Sequence, residues 1–430
     1  MNICVIGMGY VGLVTAAVFA DLGNDVVGAD IDAAKIELLC AGECPIYEPG
    51  LQEMLCRNLE ERRISFTTDT PAAVAACEVI FIAVSTPPGP DGLPDLDQVR
   101  AAARDIARGL IGHKIVVNKS TVPVGTGDLV ARILAEHGPA DARFDVCSNP
   151  EFLREGSAIE DTLMPDRIVI GVSNHRAAER LLELYSPLER PTIITDVASA
   201  EMIKYASNSF LATKISFINV IADICEQVGA DVGTVAHGVG ADRRIGHEFL
   251  QPGLGYGGSC FPKDAESLIA IAAAHGCDVA LLRAVQEVNR ARVRRFVERM
   301  IQVMGSLRGK TIGVLGLSFK PNTDDLRGAK AIELIRALLD EGASVKAFDP
   351  VAMKKCAALL PQVQYAESVY ELARGCHALA VATEWNEFKL FNLARIKDLM
   401  AEPVIFDGRN ILAPEKVRAL GFRYYSVGRP

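Results

Sequence analysis

Asn2–Ile6 is a short run of strand-forming residues that passes directly into Gly7-Met8-Gly9-Tyr10-Val11-Gly12. Val14, Ala17 and Val18 then fall at helical spacing, and a second strand-like run, residues 25–29, ends at Asp30. Strand, glycine-rich turn, helix and strand in that order leave little choice but a parallel βαβ unit. Gly7 suits the tight turn, Gly9 lets backbone approach a pyrophosphate, and Gly12 lets the helix lie close to the strand. The turn therefore reads as a dinucleotide site lined by Gly7, Gly9, Tyr10, Val11 and Gly12. Asp30, 18 positions past Gly12, is placed to accept hydrogen bonds from the adenosine ribose. Its charge repels a 2′-phosphate, so NAD is expected rather than NADP.

Strands and helices keep alternating. Residues 79–84, 115–119, 168–171 and 192–195 read as further strands, so the first part of the chain is expected to form a doubly wound parallel sheet. The loops 85–90 and 120–126 follow two of these strands, where ligands bind in this architecture, and their hydroxyls either face a cofactor or serve the turns themselves. From 197 to 228 the pattern is helical for an unusually long stretch, with apolar residues that suit a connecting helix and a dimer interface. Lys204 and Asn208 share one face of it at i, i+4 spacing, pointing either to solvent or into a site. A second long helix is expected over 282–303, with Arg290, Arg292, Arg294, Arg295 and Arg299 as a solvated basic face. A further βαβ unit follows: strand 311–315, a loop through Lys320 and Arg327, helix 329–339, and strand 344–348 ending at Asp349. Its glycine pattern is degraded, so phosphate binding suits it better than a dinucleotide. Strands near 378–382 and 404–406 extend the second sheet. The expected architecture is α/β, two Rossmann-like doubly wound parallel-sheet domains joined by a long central helix. The boundaries are 1–196, 197–305 and 306–430.

Cys260 lies in Gly257-Gly258-Ser259-Cys260-Phe261-Pro262-Lys263-Asp264. Pro262 suits a first helical turn, and residues 264–275 are rich in helix formers, so a helix is expected to start just after Cys260. The macrodipole and Lys263 then favour thiolate over thiol, and the thiolate is the nucleophile. The alternative is an inert packing cysteine beside a tight turn.

Composition bounds the answer. At 430 residues the chain is too long for a single core. Eleven cysteines, odd in number and without paired metal-type spacing, agree with a reducing compartment and point to no metal site. A net charge of −9 disfavours nucleic acid and anionic membranes as partners, although local basic residues could still hold an anionic substrate. No apolar run approaches the ~18 residues that span a bilayer, and the first strand leaves no room for a signal peptide. A cytoplasmic protein is expected.

Taken together, the motifs resemble the UDP-glucose/GDP-mannose dehydrogenase family across nearly the whole chain. The resemblance is carried by Gly7 to Gly12, residues 119–126, 149–156, Lys204 with Asn208, 244–246, 249–253, the Cys260 segment and 319–327. It implies oxidation of a nucleotide sugar at C6 from alcohol to carboxylate with two NAD, through a thioester on Cys260. The form of the Cys260 segment and of 249–253 resembles the UDP-glucose branch, with GDP-mannose the alternative substrate. By the same likeness Lys204 and Asn208 stabilise oxyanions, Asp264 and Glu151 handle protons or orient water, and Thr121 lies close to the reacting centre. Which of Asp264 and Glu151 is the base stays open.

The resemblance further implies that Glu151, Phe152, Leu153, Arg154, Glu155, Lys204, Asn208, Phe249, Leu250, Gln251, Pro252, Gly253, Gly257 and Lys320 bind the nucleotide sugar. Asp30, Lys35, Thr86, Thr121, Glu155, Lys263 and Arg327 line the NAD site. By the same likeness Arg244 reaches the substrate of a neighbouring subunit, which implies a homodimer or higher homo-oligomer. Two other readings compete: a two-electron hydroxyacid dehydrogenase, which has no task for Cys260, and a non-catalytic NAD-binding protein, which has no use for Cys260, Lys204, Asn208 and Asp264 together.

Overall fold

The computed structural model describes residues 1–90 and 92–430. It divides into two compact units, Met1–Ser207 with Glu266–His275, and Asn208–Ala265 with Gly276–Pro430. The stretch 197–305 is therefore shared between the two.

The first unit is built on eight strands: β1 (Asn2–Ile6), β2 (Asp25–Ala29), β3 (Ile64–Thr67), β4 (Val79–Ile82), β5 (His113–Asn118), β6 (Arg143–Ser148), β7 (Ile168–Gly171) and β8 (Thr192–Thr195). Their order is β3-β2-β1-β4-β5-β6-β7-β8, so the chain reverses its direction of travel across the sheet between β1 and β4. Ligands bind at such a switch point, outside the carboxyl ends of the strands. Register sharpens this. Ile6 stands opposite Ala29 and Ile82, Ile82 opposite Asn118, and Asn118 opposite Ser148. Gly7, Asp30, Ala83, Lys119 and Asn149 thus leave the sheet along one edge. The parallel sheet has one reversal: β7 meets β6 antiparallel at a single pair, Ser148 with Gly171, and carries β8 alongside it in parallel. The apolar residues of β1, β4 and β5 are buried on both faces of the sheet, as a helix-covered parallel sheet requires.

The second unit repeats the plan with six strands: β9 (Thr311–Leu315), β10 (Ser344–Phe348), β11 (Gln364–Tyr365), β12 (Ala378–Val381), β13 (Val404–Asp407) and β14 (Arg423–Ser426), in the order β11-β10-β9-β12-β13-β14. The repeat extends to single hydrogen bonds. Gly7 N donates to Ala29 O at 2.7 Å, and Gly316 N donates to Phe348 O at 2.8 Å.

Two long helices occur where the pattern places them, Val197–Val228 and Ala280–Met304. The basic face of the second is not wholly solvated. Arg292 is buried, its Nε donating to Gly253 O at 3.2 Å and its Nη1 to Asp223 at 2.5 Å. Asp223 lies 69 residues away, so the partner that allows burial is invisible in the local charge run. Among the described residues, no helix is long and apolar enough to cross a membrane.

Candidate active site

The fingerprint glycines of the first unit differ in what surrounds them. A Cβ on Gly7, whose φ is +95°, would stand 2.9 Å from Ala83 O, and one on Gly12 would stand 1.8 Å from Gly7 O. A Cβ on Gly9 would meet nothing within 4 Å. Gly7 and Gly12 close the turn, while Gly9 leaves its outer side open, the cradle that a pyrophosphate needs. Asp30 is buried at the end of β2 and accepts from Met8 N at 2.7 Å, Asp32 N at 3.0 Å and Lys35 Nζ at 2.8 Å. Burial works against its charge, but the Lys35 hydrogen bond and the two backbone donors outweigh it, holding the carboxyl below its usual range. These residues fit an NAD adenosine half, with Lys35 acting through Asp30.

The loops after β4 and β5 are tied together. Thr86 Oγ1 donates to Thr121 O at 2.9 Å, and Ser120 Oγ donates to Val84 O at 2.6 Å. The two hydroxyls thus secure the backbone of the loop that carries Thr121. The segment after β6 is held from two sides. Asn149 accepts from Lys119 Nζ at 2.8 Å and from Tyr185, and donates to Val169 O at 2.8 Å. Full burial pulls the Lys119 ammonium down to about 8, with Glu151 opposing and Lys204 adding to the fall. Glu48 accepts from Tyr10, from Gly156 N at 2.6 Å and from Ala158 N at 2.7 Å. Tyr10, expected to line the cofactor turn, therefore also links the fingerprint helix to the 151–156 segment.

Within that segment Glu151 accepts from Lys204 Nζ at 2.9 Å and from Leu153 N at 2.8 Å. The Phe152 ring lies 3.7 Å from the Arg167 guanidinium and 5.3 Å from the Lys204 ammonium. Glu155 is buried, whereas Arg154 faces outward and pairs with Asp161 at 2.7 Å. Thr86, Thr121, Glu151 to Glu155 and Lys204 all belong to this unit.

The second unit gathers the remaining candidates. Register aligns Leu315 with Phe348 and Val381, and Val381 with Asp407. The loops starting at Gly316, Asp349, Ala382 and Gly408 therefore share one edge, and residues 253–258 lie against it. Leu254 N donates to Gly408 O at 3.1 Å, Arg409 Nη1 to Gly255 O at 3.1 Å, and Gly258 N to Arg327 O at 2.9 Å. A Cβ on Gly257 would stand 2.0 Å from Gly328 O, and one on Gly258 would stand 2.7 Å from the Phe319 ring. Asn219, Asn289 and Arg292 hold the same segment, accepting from Gly253 N, accepting from Tyr256 N and donating to Gly253 O. Leu250, Pro252 and Gly253 are buried, Gln251 is exposed, and Phe249 takes a left-handed φ of +64°, an uncommon conformation for a bulky residue. Lys320 Nζ lies 5.5 Å from the ring of its neighbour Phe319, the ring that a Cβ on Gly258 would meet, and the Arg327 side chain pairs with Asp325 at 2.7 Å. Arg244 is separate and exposed, paired with Asp242 at 2.5 Å.

The segment ends at Cys260, directly before the helix Phe261–Ala274. Cys260 O accepts from Asp264 N at 2.8 Å, and Ser259 Oγ lies 3.7 Å from Cys260 Sγ. The half-buried thiol is therefore carried at a helix N-terminus, as its flanking residues predict. Asp264, fully buried in the first turn, accepts from Asn208 Nδ2 at 2.6 Å, with Lys263 Nζ 2.9 Å from its other oxygen. Lys263, expected from the sequence to favour the thiolate, thus directs its charge to Asp264. A buried carboxylate held by an amide beside a thiol at a helix start is a set that can activate a nucleophile and hold a proton.

Asp349, at the end of β10, matches Asp30 in position but not in environment. It accepts from Leu317 N, Ser318 N and Oγ, Val351 N, Ala352 N and Trp385 Nε1 and is fully buried. Six donors saturate it, so the acid that matches Asp30 in position is not left to accept from a ribose.

Family models for the UDP-glucose/GDP-mannose dehydrogenase NAD binding, central and UDP binding domains match residues 1–189, 198–291 and 313–414. The chain belongs to this family. It is an NAD-dependent oxidoreductase. The UDP-glucose 6-dehydrogenase TuaD of Bacillus subtilis is 51% identical over 430 residues, covering 100% of this chain and 93% of that protein. A UDP-glucose 6-dehydrogenase of Rhizobium meliloti is 50% identical over 437 residues, covering both chains fully. The solved UDP-glucose dehydrogenase of Pyrobaculum islandicum superimposes with a TM-score of 0.93 at 44% identity, covering 100% of this chain and 98% of that one.

Glu48, Asn149, Tyr185, Glu201, Asn219 and Asn289 escaped the sequence reading as individual residues, and Arg292 reads there only as part of a solvated face. Asn149 lies inside a quoted motif, but no local spacing marks the others, because each acts on a partner distant in the chain.

Proposed function

We propose that this enzyme oxidises UDP-glucose at C6 to UDP-glucuronate, with two NAD and one water consumed and two NADH formed. The observation that carries the reading is Cys260 at the start of its helix, on a segment packed along the edge of the second sheet, the edge whose Gly316 loop carries Lys320. A two-electron alcohol dehydrogenase has no use for a thiol placed there.

The first oxidation removes the C6 hydroxyl proton and one hydride, giving an aldehyde. The Cys260 thiolate adds to it, forming a C–S bond, and the thiohemiacetal loses a second hydride to become a thioester. Water then cleaves the C–S bond, releasing the carboxylate and restoring the thiol. NAD, when bound, accepts each hydride. Lys204 and Asn208, one helical turn apart, are the donors to the oxygen that becomes negative. Asp264 and Glu151 are the carboxylates that take the proton and orient the water. Glu151 accepts from Lys204, and Asp264 accepts from Asn208, so each oxyanion donor is already held by a proton-handling group. Residues 249–253, Gly257 and Lys320 bind the nucleotide diphosphate, and Lys263 and Arg327 contact NAD.

Phe210, Phe217, Ile224 and Val228 of the long helix are exposed. That apolar face supports a homodimer in which Arg244 reaches the partner's substrate. Absorbance at 340 nm per molecule of UDP-glucose consumed tests the reaction. Two NADH per UDP-glucose are expected. One NADH, or turnover of GDP-mannose with none of UDP-glucose, overturns it.

A further inference from the structure

Glu201 is 2% exposed and projects from the long helix onto the amino end of another, Thr126–His137. Its Oε2 accepts from Gly125 N at 2.8 Å and its Oε1 from Gly127 N at 2.9 Å. The capped helix supplies no side-chain cap of its own: its N-cap is Gly125, at φ +93°. The contact is close by design of the sequence, since a Cβ on Gly127 would stand 2.6 Å from Val197 Cγ1, one turn before Glu201. The loop immediately before this helix carries Thr121, whose carbonyl is held by Thr86. One turn after Glu201, Lys204 holds Glu151.

We propose that Glu201 is a positioning residue: its carboxylate, in place of a local cap, fixes the 120–125 loop so that Thr121 meets NAD. It rests on the reading that Thr121 lines the NAD site. The ionised form serves both donors best, because protonation turns one oxygen into a hydroxyl, a weaker acceptor whose proton must be turned away from the N–H. Burial pushes this carboxyl up to about 7, and the Gly125 and Gly127 donors oppose that rise without cancelling it. Asp128, in the first turn of the capped helix, is the charged group facing it, and it adds to the rise. The folded-state pKa is thus above the unfolded value. Its contribution to stability is present below about 4.3 and lost as pH rises through about 7. The ionised clamp is therefore held at a cost to stability, which separates a positioning role from a structural one.

NADH affinity measured by fluorescence titration from pH 5.5 to 8.5 tests this on the intact chain, without substrate. In the wild type, NADH binding should weaken about tenfold as pH falls through about 7. Glu201→Gln, whose amide sets a donor against one of the N–H groups, should bind at the weak level across the whole range. Its melting temperature at pH 8 should equal or exceed that of the wild type. Glu201→Asp, which keeps the charge, should regain part of the affinity at pH 8. Unchanged affinity and pH dependence in Glu201→Gln overturns the proposal, and so does a parallel fall in affinity and melting temperature, the mark of a structural role alone. Failure of the wild type to oxidise UDP-glucose in a separate assay would strike the substrate reading and leave this result standing.

Discussion

Lys204 Nζ lies 2.9 Å from Glu151 Oε1, and the two side chains are only 4% and 6% exposed. The pair joins the long helix to the segment after β6, and each is the other's buried counter-charge. Removing one partner leaves a buried charge, which costs about 3–5 kcal/mol, whereas replacing both with apolar groups costs far less. Lys204→Met should lower stability to urea by that amount, and Lys204→Met with Glu151→Leu should recover most of it. Neither variant should turn over UDP-glucose. A double variant as unstable as the single one would show that the pair is not the source of the cost.

Cys260→Ser tests the thiol. Serine suits the residue before a helix as well as cysteine does, so the fold and NADH affinity should be retained. A hydroxyl at that position is not ionised near neutral pH, so steady-state formation of the acid should fall by at least about a thousandfold. Stopped-flow absorbance checks it, and wild-type turnover in the variant would sink the thioester route.

The sequence made the main elements legible where the determinants are local. The 197–228 helix is set by its apolar periodicity, the start of the helix after Cys260 by Pro262, and the cofactor turn by its three glycines. What escaped is what distance decides. β3, β6, β11 and β14 carry polar residues, so their strand character comes from the neighbours they pair with rather than from their own pattern. Glu48 looks like a loop acid until Gly156, 108 residues on, donates to it. Arg292 reads as one arginine of a solvated run until Asp223 and Gly253 are brought beside it. The residues proposed to contact ligands were legible through motifs, and those that hold such residues in place were not.

Asp30 should separate the cofactors. With Lys35 and two backbone N–H groups already holding it ionised, its charge repels a 2′-phosphate, and kcat/KM with NAD should exceed that with NADP by at least ~100-fold, about 2.7 kcal/mol. Because its folded pKa lies below the unfolded value, the stability it adds is present above about 3.9 and disappears as pH falls through the folded value. The stability difference between wild type and Asp30→Asn, measured by urea unfolding, should therefore persist at pH 7 and shrink below pH ~4. Equal use of NAD and NADP would remove Asp30 from the cofactor site.

Lys320 should report on the other ligand. It sits in the loop after β9, in the unit whose counterpart of Asp30 is saturated by its own donors, so Lys320→Ala should raise KM for UDP-glucose about ten- to a hundredfold, the worth of a charge-assisted contact of ~1.5–3 kcal/mol. NADH affinity should change less than twofold. Loss of NADH affinity with an unchanged KM for UDP-glucose would reverse the division of labour between the two units.

Gly9 and Gly12 make the sharpest contrast, because the same added methyl group meets open space at one and a backbone carbonyl at the other. At Gly9 the φ is −79°, allowed for any residue, and nothing lies within 4 Å of the new Cβ. Gly9→Ala should therefore fold with a stability within about 0.5 kcal/mol of the wild type. At Gly12 the Cβ would fall 1.8 Å from Gly7 O, so the helix must move off the strand, and Gly12→Ala should lose about 1–3 kcal/mol or more. If the open side of Gly9 is where a pyrophosphate comes against the backbone, Gly9→Ala should also weaken NADH binding at least about tenfold despite its intact fold. Thermal unfolding combined with NADH titration reads both effects on the same two variants. A stable Gly9→Ala with wild-type NADH affinity would place the pyrophosphate elsewhere, because no other feature of that position distinguishes glycine from alanine.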